Sequence, residues 1–599
     1  MTLADLFDRS VAAHSRQTAL TLWSPTVVGN FSTAEVRRQV ARFAAGLIAL
    51  GVKKADRVLL ISENRPEWAI VDYATIFSGG ILVPVYTSLT VEQLRYILDN
   101  SGATIAVAST QELLDKLIAA ADGLGTVKQA VVIEQGAAAE DVMHFSSVCA
   151  MGDDLLAGSA NAWREPASRL RADDIATIIY TSGTTGQPKG VMLSHGNLMS
   201  NITVLGEVLD FRADDTALSF LPLCHITQRL ADYCYFSHGV HVVYVKIDDI
   251  APALATVQPT TFPGVPRVFE KARDRILARV AGRPAPVRAL LHWAIGVGRE
   301  MGRCRIGAVA PTAWLRLRHA LADRLALSRV RRGLGGRLRY TVSGGAPLNA
   351  EVMEFFLAMG LPILEGYGLT ETTVLSINRP DRFRPGTVGP PLPGVELRME
   401  ADGEILVRGP GVARGYYLDV KRTEQSFVDG WFRTGDLGRL DEHGHLVITG
   451  RKKDILVTSG GKKVSPAMIE QSMLQENLVS QVVLVGDGRK YVSALLVPDR
   501  NRLLAWCRER GLAAETPENS VAFERLLEND EVRRIYQEIV ERSNRPLARY
   551  EQIKKFSLLP KEFTLEGGEL TPTLKIKRQV IEEKYRPVIE SMYTEMKEA

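Results

Sequence analysis

Cysteine is scarce in the sequence, and no hydrophobic run is long enough to cross a membrane. The 599 residues include five cysteines, which are scattered and form no C-x-x-C pair. This usage excludes a disulfide scaffold or a cysteine-based zinc site and indicates a reducing compartment. The apolar stretch at residues 69–85 is interrupted by Asp72 and two glycines, too early for a transmembrane helix. The first residues include acids where a secretory signal would be basic, so we expect a cytoplasmic protein.

Charge is unevenly distributed along the chain. The net charge of the whole sequence is only +4, yet residues 267–339 contain 17 arginines and one lysine against four acidic residues. This segment therefore has a formal charge of +14, and the rest of the chain −10. A length of 599 residues also exceeds what one compact core usually holds, so two or more domains are expected.

The first part of the chain alternates helix and strand signals. Ser32 and Glu35 form a capping-box pattern, Pro66 suits the first turn of a second helix, and Thr90 with Gln93 begins a third. Short apolar runs between them predict strands at residues 58–62, 81–85 and 104–108. Such alternation predicts an α/β fold with parallel-rich sheets flanked by helices.

A loop rich in glycine and hydroxyl groups follows a strand predicted at residues 175–179. It reads Tyr180-Thr-Ser-Gly-Thr-Thr-Gly-Gln-Pro-Lys-Gly190. Glycines let backbone N–H groups approach an anion, hydroxyls add uncharged donors, and Lys189 adds a point charge. It is not a Walker A loop, because Gly183 and Gly186 are too close together. Since ligands of parallel sheets bind beyond the carboxyl ends of strands, the loop is a candidate phosphate site.

Four further motifs accompany this loop. They are Glu365-Gly-Tyr-Gly-Leu-Thr-Glu371, Trp431-Phe-Arg-Thr-Gly-Asp-Leu-Gly438, Gly450-Arg-Lys-Lys-Asp454 and Gly568-Glu-Leu-Thr-Pro-Thr-Leu-Lys-Ile-Lys-Arg578. With the loop, they resemble the motifs of the acyl-adenylate-forming (AMP-binding) superfamily, most strongly its long-chain fatty acid–CoA ligase branch. The resemblance covers nearly the whole chain. It implies activation of a fatty acid by ATP to acyl-AMP, then transfer to CoA with release of AMP and pyrophosphate.

The resemblance implies catalytic roles for four residues. Lys575 corresponds to the adenylation lysine, Thr184 and Lys189 to phosphate-loop residues, and Glu371 to the ligand of Mg²⁺. One glutamate suffices for a hard cation that also binds the phosphates of ATP. Because the attacking carboxylate is already ionised, this step needs positioning and charge stabilisation rather than a general base.

The implied nucleotide site draws on several distant segments. Tyr367 would stack on adenine, Thr370 would donate to the α-phosphate, Asp436 would accept from the ribose hydroxyls, and Arg451 would contact phosphate or ribose. The full set comprises Thr181, Ser182, Gly183, Thr184, Thr185, Gly186, Lys189, Gly345, Ala346, Pro347, Glu365, Tyr367, Gly368, Thr370, Asp436, Ile448, Arg451 and Lys575.

The acyl and CoA sites are also implied by the resemblance. The acyl contacts would be His225, Gly345 and Gly368, and the CoA contacts Ser459, Gly460 and Gly461. His225 belongs to Leu221-Pro-Leu-Cys-His-Ile-Thr-Gln-Arg229, and by the family's pattern it lies near the acyl carboxylate. The family usually has a glutamate where this chain has Gln228, so a carboxylate-dependent role is not carried over to that position.

The domain organisation follows the same resemblance. Residues 1–451 would form a large adenylate-forming domain, residues 452–454 a hinge centred on Lys453, and residues 455–599 a small mobile α+β domain containing Lys575. In the family, the small domain rotates about the hinge between the two half-reactions. Lys452 is interpreted as a solvated linker residue.

The basic segment at residues 267–339 has helical periodicity. Trp314, Leu317, Leu321 and Leu325 fall on one face, with arginines interspersed. One interpretation is a helical hairpin with solvated arginines. The other is peripheral contact with anionic lipid, since basic amphipathic helices bind membrane surfaces.

Two other functions compete with the CoA ligase. One is a fatty acyl-AMP ligase that loads a carrier protein, although residues 451–460 lack the insertion that such relatives often have. The other is an inactive lipid- or membrane-binding protein, which the intact motifs disfavour. The expected partners are therefore a fatty acid, ATP and CoA, with no nucleic acid and an open oligomeric state.

Overall fold

The computed structural model describes residues 1–181, 187–307, 309–512, 520–564, 566–570 and 576–594. The chain divides into two units, one formed by residues 1–398, 406–434 and 442–446, the other by residues 399–405, 435–441 and 447–599. Six predicted site residues lie outside the described part: Ser182, Gly183, Thr184, Thr185, Gly186 and Lys575. The hinge at residues 452–454 stays a prediction.

The strands are short. In chain order they are β1 Leu20–Trp23, β2 Val28–Phe31, β3 Arg57–Ile61, β4 Ile81–Val85, β5 Ile105–Ala108, β6 Gln129–Val132, β7 Val142–His144, β8 Ile175–Thr181, β9 Lys189–Ser194, β10 Thr216–Ser219, β11 His241–Tyr244, β12 Pro263–Gly264, β13 Thr341–Ser343, β14 Ile363–Leu369, β15 Thr373–Ile377, β16 Glu396–Met399, β17 Glu404–Arg408, β18 Phe427–Val428, β19 Trp431–Leu440, β20 Leu446–Arg451, β21 Leu456–Val457, β22 Lys463–Val464, β23 Val479–Val485, β24 Val492–Pro498 and β25 Ile553–Leu558.

The helices alternate with these strands. They are α1 Leu3–Ala13, α2 Thr33–Ala49, α3 Pro66–Phe77, α4 Val91–Ser101, α5 Gln111–Ala121, α6 Phe145–Gly158, α7 Glu165–Ser168, α8 His195–Leu209, α9 Ile226–Ser237, α10 Ile250–Val257, α11 Pro266–Ala281, α12 Ala285–Ile306, α13 Ala313–Ala322, α14 Ser328–Gly333, α15 Ala350–Ala358, α16 Val420–Ser426, α17 Pro466–Met473, α18 Arg500–Glu509, α19 Ser520–Leu527, α20 Asp530–Asn544, α21 Arg578–Lys584 and α22 Arg586–Tyr593. A π-helical turn, Asp323–Leu327, joins α13 to α14.

The predicted helix starts are confirmed, with one difference in detail. The hydroxyl of Thr90 accepts from the backbone N–H of Gln93, whose side chain accepts from Thr90, so α4 begins with a full capping box. Ser32 caps α2 by accepting from the backbone of Glu35. The side chain of Glu35 pairs with Arg38 at 3.2 Å instead of completing the box.

The largest sheet confirms the predicted α/β class. Its seven strands are ordered β7-β6-β5-β3-β4-β8-β9, all parallel except β9, which pairs antiparallel with β8. Val58 and Leu60 of β3 enter one hydrophobic core, whereas Leu59 and Ile61 enter another. Helices therefore cover both faces, as expected for a parallel sheet.

Two smaller sheets lie entirely within the first unit. The order β10-β11-β1-β2 forms one, and β12-β13-β14-β15 forms the other. In the second unit, β23 pairs antiparallel with β24, and β24 pairs parallel with β25. Alternate residues of β23 enter different cores, Val482 and Leu484 on one side and Val483 and Val485 on the other.

The basic segment is helical, as predicted. Of the four residues predicted to share one face, Leu325 lies in the π-helical turn after α13 and is half-buried, whereas the other three are exposed. In α13, Leu315 and Ala322 are buried. The side facing solvent presents Trp314, Leu317 and Leu321, which are 66%, 63% and 51% exposed. Among the described helices, none is long and apolar enough to cross a bilayer.

A buried ion pair joins three elements of the first unit. Arg229 of α9 donates to both carboxylate oxygens of Asp72 in α3, at 2.9 Å from Nε, and to Thr177 Oγ1 of β8 at 2.8 Å. The hydroxyl of Tyr233 donates to Asp72 at 2.6 Å. Arg229 and Asp72 are almost completely buried. Each charge therefore depends on the other, and the pair fixes α3, α9 and β8 against one another.

We expect Asp72→Ala to lower the free energy of unfolding by about 3–5 kcal/mol, because Arg229 would stay buried without its counter-charge. Urea unfolding followed by tryptophan fluorescence measures the change, and Trp68, whose ring lies 5.5 Å from the Arg229 guanidinium, is a local reporter. Glu396→Ala removes the exposed pair with Arg408 and should leave stability unchanged. Equal effects of the two substitutions would contradict the role of the buried pair.

Candidate functional site

The phosphate loop connects two paired strands. β8 ends at Thr181 and β9 begins at Lys189, and these two residues face each other in the antiparallel register. The two described ends of the loop therefore lie at the carboxyl end of β8, beside the edge strand β9 of the seven-stranded sheet. The hydroxyl of Thr181 is buried, and no described residue hydrogen-bonds it. It therefore remains available to the loop or to a ligand.

Lys189 meets Glu371, which lies 182 residues away in sequence. Glu371 occupies the turn between β14 and β15, and its carboxylate is mostly buried. Tyr416 lies between them: its hydroxyl accepts from Lys189 at 2.8 Å and donates to Glu371 Oε1 at 2.9 Å. The ammonium group of Lys189 also lies 4.4 Å from the centre of the Tyr416 ring, within cation–π range.

This cluster fits the implied Mg²⁺ site in its chemistry. The hydrogen bonds from Lys189 and Tyr416 both fall on Oε1 of Glu371, and a carboxylate oxygen is a ligand that Mg²⁺ prefers. Among the described residues, no group of three or more His, Cys, Asp or Glu could hold a metal by itself. A cation bound here would therefore need oxygen ligands from the enzyme's substrate in addition to the carboxylate of Glu371.

The segment predicted to border adenine follows β13. Ser343 pairs with Glu365 of β14, and the exposed Gly345, Ala346 and Pro347 come directly after. Gly345 has a φ of +85°, which favours glycine. Glu365 Oε1 accepts from the backbone N–H of Leu348 at 2.9 Å, which anchors the end of the segment. Burial raises the pKa of Glu365 to about 7.

The remaining motif residues lie along β14 and the turn that follows. Tyr367 is half-buried, Gly368 is exposed, and Thr370 is buried next to Glu371. A Cβ atom at Gly368 would lie 1.9 Å from the carbonyl oxygen of Thr373. Only glycine therefore allows β14 and β15 to approach so closely here.

His225 is the N-cap of α9. Its Nδ1 accepts a hydrogen bond from the backbone N–H of Thr227 at 3.3 Å, and the residue is half-buried. In a neutral ring the proton must then lie on Nε2. Nε2 would then be a donor, and the contact of His225 with a carboxylate stays a prediction.

In the second unit, Asp436 and Arg451 form an ion pair at 2.6 Å. Asp436 is buried on β19, whereas Arg451 is half-exposed at the end of β20. Nearby Ile448 is half-buried on the same strand. The pair brings together the two charged residues predicted to bind ribose or phosphate.

Lys452 is exposed, as expected for a solvated residue. Its ammonium group also pairs with Asp402 at 2.6 Å and Glu404 at 2.8 Å, which was not predicted. Glu404 is buried and also accepts from the backbone N–H of Gly435 at 3.2 Å. Lys453 and the predicted CoA contacts Ser459, Gly460 and Gly461 are exposed.

Sequence reasoning missed Tyr416 and Glu404. Tyr416 follows Gly415 in a pair of tyrosines, a weak signal without knowledge of its distant partners. Glu404 lies in a charged stretch with no motif around it. Both were missed because their roles depend on contacts between segments far apart in the chain.

Comparisons with known proteins agree with this arrangement. The family of AMP-binding enzymes matches residues 7–417, and the AMP-binding enzyme C-terminal domain matches residues 453–597. The long-chain-fatty-acid–CoA ligase FadD15 of Mycobacterium bovis is 37% identical over 94% of this chain and 92% of its own. The human long-chain-fatty-acid–CoA ligase ACSBG1 is 32% identical over 93% and 80%. The anthranilate CoA ligase AuaEII, crystallised with anthranoyl-AMP, shares the fold, with a TM-score of 0.73 and 19% identity over 98% of each chain. The chain therefore belongs to the family of AMP-binding enzymes.

Proposed function

We propose that the protein is a long-chain fatty acid–CoA ligase, which uses ATP to form acyl-AMP and then transfers the acyl group to CoA. The meeting of Lys189, Glu371 and Tyr416 at the end of β8 is the observation that carries the proposal. It supports the proposal because a cation and a carboxylate meet at Lys189, which is itself one of the predicted phosphate-loop residues. The similarity to FadD15 and ACSBG1 over most of the chain supports a fatty acid as the substrate.

This arrangement suits the first half-reaction. A carboxylate is a poor electrophile, and adenylation gives it AMP as a leaving group. Attack on the α-phosphate concentrates negative charge on the phosphate oxygens, so fixed cations near them lower the barrier. Lys189 would supply one charge, and Mg²⁺ bound by Glu371 and the phosphates would neutralise more. Lys575, outside the described residues, is the proposed third cation.

For the second half-reaction, CoA thiolate attacks the acyl carbon and AMP leaves. We propose that Ser459, Gly460 and Gly461 face pantetheine and that the hinge at Lys453 exchanges the two arrangements. Preference for a long chain would come from burial of the tail. Each buried CH₂ contributes about 0.8 kcal/mol, so ten methylenes contribute about 8 kcal/mol.

The decisive test is exchange of pyrophosphate into ATP with acids of increasing length, followed by detection of acyl-CoA. We expect exchange with long-chain acids and CoA-dependent release of acyl-CoA. Lys575→Ala should abolish exchange yet leave thioester formation from supplied acyl-AMP largely intact. Acyl-AMP that accumulates despite CoA would favour the carrier-loading alternative. Absence of exchange with every acid would favour the inactive lipid-binding protein.

Tyr416→Phe should slow adenylation about tenfold or more, because the hydroxyl bonded to both charged side chains is lost while the ring remains. The Mg²⁺ concentration needed for half-maximal rate should rise, and the rates with different acids should fall in parallel. Tyr417→Phe is the matched control, since its side chain packs in another hydrophobic cluster. An unchanged Mg²⁺ requirement in Tyr416→Phe would count against this role.

We also propose that the enzyme is cytoplasmic and docks peripherally on an anionic membrane. The exposed Trp314, Leu317 and Leu321 form one face of α13, with the exposed Arg316 and Arg324 beside them. Apolar side chains can enter the interface while arginines contact lipid phosphates. The +14 charge of residues 267–339 favours an anionic lipid surface over a neutral one. Such docking would give access to substrates that partition into bilayers.

Sedimentation with liposomes containing phosphatidylglycerol tests this surface. We expect binding that weakens with salt, and a Trp314→Ser/Leu317→Ser variant that binds at least about tenfold less tightly. Leu418→Ser removes a side chain that is 73% exposed outside the basic segment and should bind normally. If wild type fails to bind at low salt, the docking proposal is wrong, whereas the ligase proposal stands on its own assay.

A further inference from the structure

The buried amide of Gln228 connects the backbone of Leu221 with the side chain of Asp232. Its Oε1 accepts from the backbone N–H of Leu221 at 3.2 Å, and its Nε2 donates to Asp232 Oδ1 at 2.8 Å. The side chain is completely buried. The amide thus ties the start of the segment Leu221–His225 to the second turn of α9.

Asp232 is an acceptor for every neighbour that contacts it. Ser219 Oγ donates to Oδ2 at 3.1 Å, and the hydroxyl of Tyr244 is a further hydrogen-bond partner. A glutamate at position 228, which is usual in the family, would place two buried carboxylates 2.8 Å apart. Since buried like charges repel strongly, an ionised Asp232 requires a donor at residue 228.

The segment Leu221–His225 is also held from its other side. Asn64 Nδ2 donates to the carbonyl oxygen of Leu221 at 2.7 Å, and Asn64 Oδ1 accepts from the backbone N–H of Leu223 at 3.1 Å. The backbone N–H of His225 then donates to the carbonyl of Pro222 at 2.9 Å. Both backbone polar groups of Leu221 are therefore hydrogen-bonded, which restrains the turn that ends at His225.

We propose that Gln228 and Asp232 act as one positioning unit, which fixes Leu221 and thereby directs the imidazole of His225 toward the acyl carboxylate. The functional part rests on the proposed ligase activity. Gln228 is a positioning residue, because its completely buried side chain acts through the backbone of Leu221. Which residue is tolerated at position 228 therefore depends on the residue at position 232, because one buried hydrogen bond joins their side chains.

The surroundings of Asp232 predict a pH dependence of stability. The titratable groups that face it are Arg229, Tyr233, Cys234 and Tyr235 on α9, Asp72 and Tyr73 on α3, and Tyr244 on β11. Burial raises the pKa of Asp232 to about 7. An unfolded aspartate ionises near pH 4, so the contribution of this group to stability falls as pH rises from about 4 to about 7. Asp232→Asn removes that fall and keeps an acceptor for Gln228.

The experiment compares wild type with Gln228→Glu, Asp232→Asn and the double variant Gln228→Glu/Asp232→Asn. In Gln228→Glu, we expect KM for the fatty acid to rise about tenfold at pH 8, and KM for ATP to change little. The defect should be smaller at pH 6, where the two carboxyls can share a proton. In the double variant, the amide introduced at position 232 can donate to the carboxylate introduced at position 228. KM for the fatty acid and the melting temperature should therefore return to near wild-type values.

Three outcomes would overturn the proposal. The first is a normal KM for the fatty acid in Gln228→Glu at pH 8. The second is a double variant whose KM for the fatty acid and melting temperature do not recover from the values of Gln228→Glu. The third is an equal rise of KM for the fatty acid and KM for ATP in Gln228→Glu. Recovery of the melting temperature tests the pairing even if wild type forms no acyl-CoA. A wild type without that activity would refute the proposed function, and with it the role of His225, but not the coupling of the two side chains.

Discussion

The first unit depends on one buried charge pair, Arg229 with Asp72. Removing two charges from water is costly, and the cost is offset only when their geometry and hydrogen bonds are good. Here the guanidinium also donates to Thr177 of β8, the strand that leads to the phosphate loop. It belongs to α9, which starts directly after His225. The strand before the phosphate loop and the helix after His225 are thereby held by the same side chain.

The proposed active site shows a different use of charge. Lys189 and Glu371 are brought together by β9 and by the turn after β14, and Tyr416 bonds to both. These side chains lie at the edge of a sheet, where a loop can admit a ligand. At the buried pair, every side-chain nitrogen of Arg229 and both carboxylate oxygens of Asp72 have a hydrogen-bond partner within the protein. The pair Arg229–Asp72 thus stabilises the fold, whereas the pair Lys189–Glu371 belongs to the proposed active site.

The sequence predicted features that depend on neighbouring residues. The capping box at Thr90, the strand Ile81–Val85 and the α/β class are confirmed because caps and apolar runs act locally. The meeting of Lys189 with Glu371 followed only from resemblance, and Tyr416 was missed because its partners are distant in sequence. Helical periodicity identified the face of Trp314 but not which face of α13 packs inward, since that depends on neighbouring helices. Gln228 and Asp232 are four residues apart, yet only their burial reveals that one must donate.

The contact between Lys189 and Glu371 has a consequence for how a charged substrate enters. In this contact the two charges offset each other, so the pair by itself presents little net charge to a bare anion. For the proposed complex of ATP with Mg²⁺, entry would be an exchange of partners. Glu371 would hold the metal instead of the ammonium group, and Lys189 would hold a phosphate instead of the carboxylate. The number of charge contacts would be conserved, whereas a nucleotide arriving without its metal would have to separate the pair and leave the carboxylate uncompensated.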